Sequence, residues 1–233
     1  DHRNLHSFPT RRSSDLFVRA LNEIIDDPKM YAKRLTAQTK AKLSVVIPIY
    51  NVEDYVDKCL QSIVSQTMND IEIVCVDDGC QDRSVEYIEK YWKSDPRITI
   101  IHESNRGLAG ARNYGMHSSH AKYVMFCDSD DYYELKICQK MYEAINQNNT
   151  DLAICGIKMS YSSGYDKYRN DRLYYDLKFI GKHDITKDVL EMTDVSACNK
   201  IFRRSFIKKY DLHFPEGLTK RSEERRVGKE CRS

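Results

Sequence analysis

Three of the four residues at 128–131 are acidic: Asp128, Asp130 and Asp131, with Ser129 between them. They follow directly on an apolar run, Tyr-Val-Met-Phe-Cys at 123–127. A short apolar run bounded by polar residues fits a strand buried on both faces of a parallel sheet. Asp128 and Asp130 are two positions apart, so one tight turn aims both at a single point. Carboxylates held that close repel each other, and a divalent cation with oxygen ligands relieves the repulsion. The segment is therefore a candidate metal site on the lip of a sheet. A second reading stays open, with Asp128 as the N-cap of a following helix and its neighbours in water.

The elements that must position this turn alternate along the chain. Residues 43–49 form a β-branched strand ended by Pro48 and the polar turn at Asn51. Val56, Cys59, Leu60, Ile63 and Val64 then share one helical face. A second strand, 71–76, ends at Asp77, Asp78 and Gly79. The next helix has Asp82 or Ser84 near its cap, turns Val85, Ile88 and Trp92 inward, and stops at Asp95 and Pro96. A third strand, 98–101, leads through Asn105, Arg106 and Gly107 to a helix over 108–119. The fourth strand is the run at 123–127, followed by a helix through Leu135, Cys138, Met141 and Ile145. A fifth strand is expected at 152–157. This alternation implies right-handed crossovers and an α/β fold with a mainly parallel sheet and helices on both faces.

In such sheets ligands bind beyond the carboxyl ends of the strands. Those ends carry Pro48 to Asn51, Asp77 and Asp78, Asn105 and Arg106, and Asp128 to Asp131, while strand interiors stay apolar. Acids for a cation and bases for an anion therefore collect on one edge. A divalent metal bridging a diphosphate, with Arg106 and Arg112 neutralising it, suits that mixture. Asp77 and Asp78 suit hydrogen bonds to a nucleobase or ribose, or alternatively cap a turn closed by Gly79. Arg112 has the alternative of an ordinary exposed helical residue. There is no GxxxxGK[ST], so a P-loop is excluded, and Gly107-Leu-Ala-Gly110 lacks the dinucleotide fingerprint.

Composition sets the outer bounds. The chain has 233 residues, is 41% apolar and 31% charged, and carries a formal net charge of +2. That charge gives no reason to expect a nucleic-acid partner. No apolar stretch approaches a membrane span, and no signal peptide is expected. Cys75, Cys127 and Cys155 lie in strand-like runs and Cys59 and Cys138 on apolar helix faces, without the paired spacing of a zinc site. Buried free thiols in a reducing cytosol are expected.

Both ends differ in character from the rest. Residues 221–233 can be encoded by a DNA string whose reverse complement, in a shifted frame, encodes residues 5–16. That string resembles a sequencing-library adapter, so 1–16 and 221–233 are expected to be adapter-like and disordered. Residues 17–41 read as a helical segment, with Phe17, Leu21, Ile24 and Ile25 at helical spacing and Pro28 interrupting. Residues 42–220 form the main domain, expected to be cut short at its C-terminal side.

Four motifs then occur in order: Val-Val-Ile-Pro-Ile-Tyr-Asn at 45–51, Val-Asp-Asp-Gly at 76–79, Asn-Arg-Gly-Leu-Ala-Gly-Ala-Arg-Asn at 105–113 and Asp-Ser-Asp-Asp at 128–131. Together they resemble family 2 glycosyltransferases of the GT-A fold, a Rossmann-like architecture, especially bacterial enzymes of surface-polysaccharide synthesis. Cys198 to Phe206 and Phe214 to Leu218 look like the family's later segment. The resemblance implies inverting transfer of a sugar from a nucleotide diphosphate sugar, a UDP-sugar first, to a saccharide or lipid-linked saccharide acceptor. It implies that Pro48, Tyr50, Asn51, Glu53, Asp77, Asp78, Asn105, Arg106, Arg112, Asp128 and Ser129 bind the donor. Asp128 and Asp130 would hold Mg²⁺ or Mn²⁺, and Asp131 would steady the metal turn. The family's catalytic base lies just after Phe-x-Glu-Gly-Leu, where this chain enters its adapter-like tail. Glu223 and Glu224 fall near that place by accident, and the base is expected to be missing. A cytoplasmic location is implied, at the inner face of the membrane if regions outside this chain attach there.

Two other readings stay open: a nucleotide-sugar-binding fragment without turnover, and a nucleotidyltransferase. The latter usually has a Gly-rich basic loop after the first strand, where this chain has acidic Asn-Val-Glu-Asp-Tyr at 51–55. Five tyrosines between Tyr161 and Tyr175 fit an exposed β-ribbon or an acceptor-facing hairpin. His102, His117, His120, His183 and His213 share no spacing and are assigned no role.

Overall fold

The structure is a computed structural model that describes residues 22, 25–160, 166–169, 181–184, 186, 193 and 196–217. Strand β1 (Leu43–Ile49) is buried at all seven positions. It lies at the centre of a six-stranded sheet with β2 (Ile71–Asp77), β3 (Ile98–His102), β4 (Tyr123–Phe126), β5 (Leu152–Ile154) and, later in the chain, β8 (Lys200–Arg203). The strand order is β3-β2-β1-β4-β8-β5. β1 pairs in parallel with β2 and β4, and β2 in parallel with β3, so the order reverses at β1. A reversal of this kind opens a crevice at the carboxyl ends of the two strands that flank it, here β1 and β4.

Alternation along β1 gives the sheet two cores. Val45, Ile47 and Ile49 face α2 (Val56–Val64), α3 (Ser84–Tyr91) and α5 (Ile137–Gln147), whose Val56, Cys59, Leu60, Ile63, Ile88, Cys138, Met141 and Ile145 complete one cluster. Val46, with Val74, Val76, Val124 and Phe126, faces α4 (Gly107–Ser118) and α6 (Arg204–Lys209) through Ala111, Tyr114, Met116 and Ile207. Each fully buried aliphatic side chain contributes about 1.5–3 kcal/mol. The expected helices on both faces of a mainly parallel sheet are present.

Several boundaries move, each for a local reason. Pro48 sits within β1, opposite Val76 of β2. Cys127 N–H donates to Val46 O on the β4 side, and pairing with β4 ends at Val46. Pro48 points to that same side beyond the end of β4, so its missing N–H removes no ladder bond. Pro28 falls where helical stretches part, as expected: residues 22, 25 and 26 are helical, Asp27 is not, and α1 (Pro28–Lys40) opens at the proline, where Asp27 Oδ1 accepts from Met30 N–H at 2.9 Å and the first helical position needs no N–H partner. Leu135 precedes α5 and is exposed.

The run expected as one strand at 152–157 is divided. β5 ends at Ile154; Cys155 N–H donates to Asn199 O, and Asn199 Nδ2 donates to Cys155 O, both at 2.9 Å. The chain then enters a separate antiparallel pair, β6 (Ile157–Ser160) with β7 (Asp166–Arg169). This pair supplies part of the expected ribbon, and the remainder of the tyrosine stretch lies outside the described residues. Residues 1–16 and 218–233, with Glu223 and Glu224, also lie outside them, as do Phe17, Leu21 and Ile24. β8 was not expected as a strand; it enters antiparallel between β4 and β5. No helix among the described residues is long and apolar enough to cross a membrane.

The amino edge of the sheet is closed by a polar network. Glu72 is buried and accepts from Ser44 Oγ at 2.6 Å and from His120 N–H at 2.8 Å; its other oxygen meets His120 Nδ1 at 2.6 Å. Ser44 Oγ in turn accepts from Ala121 N–H, and Arg204 donates to Ala121 O. Burial alone would raise the Glu72 pKa, but hydrogen bonds from His120 and Ser44 outweigh it and hold the carboxyl below its usual range. The His120 pKa is raised by the same hydrogen bond. Three neighbouring strands are pinned here, away from the edge that carries the acids.

Two outcomes follow. On α4, a methyl at Gly115 would stand 2.4 Å from Val46 Cγ1 and 2.9 Å from Val76 Cγ2. Gly115→Ala should therefore lower the urea unfolding free energy by about 1–3 kcal/mol or more, the usual cost of overpacking a filled core. The raised His120 pKa gives stability that is complete below the unfolded value and is lost as pH rises through the folded value. Unfolding free energy followed above pH 6.5 should fall in the parent chain, and this fall should be absent in His120→Gln. A flat parent profile would show that the imidazolium–carboxylate pair adds nothing to folding.

Candidate active site

The first two loops at the carboxyl edge brace each other. After β1, Asn51 takes a left-handed backbone (φ 51°), and its Oδ1 accepts from Gln81 N–H at 2.7 Å. Glu53 N–H donates to Asp82 Oδ2 at 3.0 Å, and Glu53 Oε2 accepts from Arg83 N–H at 3.1 Å. Asn51 and Glu53, both expected to contact donor, thus tie the loop after β1 to the loop after β2. Pro48 and the half-exposed Tyr50 line the cavity in front of them.

Asp77 and Asp78 divide their two readings between them. Asp77 Oδ1 caps the turn, accepting from Gly79 N–H at 3.1 Å and Cys80 N–H at 2.9 Å, while Oδ2 meets His102 Nδ1 at 3.0 Å. Burial would raise its pKa, but the bonds from Cys80 and His102 more than offset that, and the carboxyl sits below its usual range. Gly79 has φ +79° at this turn and packs against Asn105, so a side chain there would be strained. Asp78 instead lines the cavity and accepts Arg106 N–H at 2.7 Å. Burial raises the Asp78 pKa, and the N–H groups of Arg106 and Gly107 only partly oppose it.

Beyond β4, Asp131 N–H closes a tight turn onto Asp128 O at 3.0 Å. Asp128 caps no helix, since α5 begins at Ile137. Its Oδ1 accepts from Arg112 Nη2 at 2.7 Å. The Arg112 side chain is only 3% exposed, against 26% for Asp128, so the guanidinium is packed beneath the turn rather than standing on the helix surface. Asp128, Ser129, Asp130 and Asp131 all line the cavity, and Asp130 is exposed.

The cavity has a volume of about 1430 Å³. Seven of the expected donor or metal residues border it: Pro48, Tyr50, Asp78, Asn105, Asp128, Ser129 and Asp130. Asn51, Glu53 and Asp77 act behind it in loop geometry. Arg106 and Arg112 spend their guanidinium groups on carboxylates, Glu216 for Arg106 and Asp128 for Arg112.

The metal-ligating geometry brings together Asp128, Asp131 and Cys198, with ligand atoms within 4.8 Å of one another. Two hard carboxylate donors on one turn, with Asp130 beside them, suit Mg²⁺ or Mn²⁺. The Cys198 thiol suits them less. Burial first, and then the Asp128 charge, push its pKa up and keep it protonated. Cys198, Asn199 and Glu216 carried no assigned role in the sequence, and neither did Tyr55, Lys58 or Lys136, which also line the cavity. Cys198 lies 70 residues beyond Asp128, so spacing held no signal; the only available clue was the recognisable later segment.

Removing Arg112 would strand Asp128 over a space that had held a cation. Breaking a buried pair costs about 3–5 kcal/mol, and the partial exposure of Asp128 puts Arg112→Gln near the lower end of that range. Denaturant unfolding should show a loss of about 3 kcal/mol; a loss under about 0.5 kcal/mol would mean the pair is no more than a surface contact.

Comparison with known proteins identifies the family. The family described as "Glycosyl transferase family 2" matches residues 44–211. The uncharacterized glycosyltransferase EpsJ of Bacillus subtilis is 38% identical over 187 residues, covering 76% of this chain and 52% of EpsJ. A poly(ribitol-phosphate) beta-glucosyltransferase of Bacillus spizizenii is 32% identical over 178 residues, covering 75% of this chain and 27% of that protein. Staphylococcal (S. aureus) TarS 1–349, solved in complex with UDP, superposes with a TM-score of 0.57 at 26% identity, covering 75% of this chain and 50% of that one. The chain spans about half the length of EpsJ, or less of the other curated relative. With its four ordered motifs on one edge of a mixed, mainly parallel sheet, the chain belongs to glycosyl transferase family 2 and has the GT-A fold.

Proposed function

We propose that this chain is the donor-binding part of an inverting glycosyltransferase acting in surface-polysaccharide synthesis. It would move a sugar from a nucleotide diphosphate sugar, a UDP-sugar first, to a hydroxyl of a saccharide or lipid-linked saccharide acceptor. One observation carries this reading: Asp78 and the Asp128–Asp131 turn face a single cavity at the point where the strand order reverses. The UDP complex of TarS and the polymeric acceptor in the name of the Bacillus spizizenii relative support the choice of donor and acceptor.

Within that reading each residue has a physical task. Tyr50 offers an exposed ring face on which a base can stack. Asp78, held by Arg106 N–H through Oδ1, presents a carboxylate to a nucleobase or ribose donor group. Asp128, fixed by Arg112 from below, would hold Mg²⁺ or Mn²⁺ together with its exposed neighbour Asp130 and with Asp131, whose ligand oxygen comes close to that of Asp128 and whose N–H closes the turn. Such an ion, when bound, supplies positive charge against the diphosphate that departs with the nucleotide. Proton removal from the acceptor hydroxyl needs a carboxylate base within hydrogen-bond reach, expected after Leu218 and so outside the described residues. Placement at the inner face of the membrane, through regions beyond this chain, belongs to the same proposal. The acidic loop at 51–55 disfavours nucleotidyl transfer. Binding without turnover remains the alternative, because the chain covers only half of its relatives.

Titration calorimetry with UDP and UDP-sugars, with and without Mn²⁺, tests the reading. Metal-dependent UDP binding is expected, and Asp130→Ala should weaken it by about 100-fold, within the range for charge-assisted and metal-mediated contacts. No metal-dependent binding of any nucleotide sugar would sink both the transferase and the binding-only reading. Binding without hydrolysis or transfer would favour the second. Unchanged affinity in Asp130→Ala would remove Asp130 from the metal site.

A further inference from the structure

We propose that Glu216 is a positioning residue that makes segment 214–217 part of the donor site; the inference rests on the donor-binding reading above. Five contacts build the link. Arg106 gives its backbone N–H to Asp78 Oδ1 at 2.7 Å and its guanidinium to Glu216 Oε2. Asn113 Nδ2 donates to Glu216 Oε1 at 3.1 Å and to Phe214 O at 2.8 Å, and Asn113 Oδ1 accepts Phe214 N–H at 2.8 Å. Both Glu216 oxygens are thus used, by partners 103 and 110 positions earlier in the chain.

The same helix carries the link to the metal turn. Arg112, next to Asn113, grips Asp128 and lies 5.4 Å from the Phe214 ring, which packs edge-on against Phe126 at the end of β4 at 5.1 Å. Residues of α4 and its cap therefore reach Asp78, Asp128 and the 214–217 segment together. Gly110 makes room for this. A methyl there would stand 2.5 Å from Arg106 Cβ, so glycine lets the Arg106 side chain fold back along the helix toward Glu216.

The contact is built for placement rather than for stability. The Arg106 and Glu216 side chains are 33% and 35% exposed, and ion pairs in that setting add little to folding. Acceptance from Asn113 on α4 and from Arg106 at its N-cap, seven positions apart and so on one face, fixes the plane of the carboxylate, and with it the path of the chain through Glu216. In return, Glu216 restrains Arg106, whose backbone N–H holds Asp78. Neither Glu216 nor Phe214 lines the cavity. An effect of Glu216 on nucleotide affinity would thus act through Arg106 and Asp78, and linkage requires that nucleotide binding steady 214–217 in return.

The test uses the whole chain, UDP with Mn²⁺ as probe, and three measurements: affinity by calorimetry, melting temperature, and amide hydrogen exchange at 214–217 with and without UDP–Mn²⁺. Glu216→Ala should weaken UDP–Mn²⁺ binding about three- to tenfold, a modest coupling, while its melting temperature stays close to that of the parent. Glu216→Gln keeps an oxygen for Arg106 and should retain most of the affinity. UDP–Mn²⁺ should slow exchange at 214–217 in the parent and not in Glu216→Ala. If Glu216→Ala does not fold, the Gln variant and the exchange response of the parent decide alone. Equal affinity in all folded chains, or nucleotide binding that leaves exchange at 214–217 unchanged in the parent, would overturn the positioning role and leave the donor-site reading standing. Absence of any UDP–Mn²⁺ binding would overturn the donor-site reading, and this inference with it.

Discussion

A guanidinium packed against a sheet must find a carboxylate, and Arg112 finds Asp128 at 2.7 Å with only 3% of its own side chain exposed. A charge buried that far is tolerated only when its partner stays in register. The depth of α4 on the sheet is therefore a condition of the site. Gly115 sets that depth by letting the helix backbone close on Val46 and Val76. A helix standing further off would carry Arg112 out of reach of the turn, and the orientation of Asp128 would be lost with it. Core packing of β1 and β2 thus passes, through one glycine and one arginine, into the aim of a carboxylate at the cavity.

The two edges of the sheet use similar chemistry to opposite ends. At the amino edge Glu72 is 1% exposed and bonded by the Ser44 hydroxyl, the His120 ring and the His120 backbone N–H, so its hydrogen-bonding capacity is consumed inside the fold. At the carboxyl edge Asp128 meets its arginine from below and is 26% exposed. One carboxylate closes three strands together; the other is held rigid and still faces the cavity. Asp77 and Asp78 repeat the contrast one strand away, since Asp77 is spent on its own turn and Asp78 borders the cavity. Carboxylates at a strand end are thus separated into structure and site by what supplies their hydrogen bonds.

That separation also marks what the sequence made legible. The parallel half of the sheet could be read because each strand is a contiguous apolar run and each helix shows its face within one period: 43–49 agrees with β1 at both ends, and Val56, Cys59, Leu60 and Ile63 are the buried face of α2. The placement of the acids on one edge followed from that alternation. Of the antiparallel half, β5 was legible only as the first part of one run at 152–157, and β8 was not legible at all. β8 is only four residues long, and its partners β4 and β5 lie far earlier in the chain. Nothing local says that Lys200–Arg203 will insert between them. Side-chain assignments failed to resolve for the same reason. Whether Arg112 was exposed or buried, and whether Arg106 faced a diphosphate or Glu216, depends on partners 16 and 110 positions away.

The late segment is accordingly part of the site's construction. The approach to β8 brings Cys198 to the Asp128–Asp131 turn, and Asn199 ends β5 by holding both backbone groups of Cys155. Segment 214–217 then returns to α4, where Asn113 takes its backbone and Arg106 takes Glu216. Because α4 also carries Arg112, the loop that holds Asp78, the turn that holds Asp128 and the chain leading out of Gly217 share one rigid reference. In a fold where the acids of the site come from separate loops, such a reference limits independent motion of those loops. A ligand spanning Asp78 and the Asp128–Asp131 turn would therefore meet a distance set largely before it arrives, which is the physical content of preorganisation.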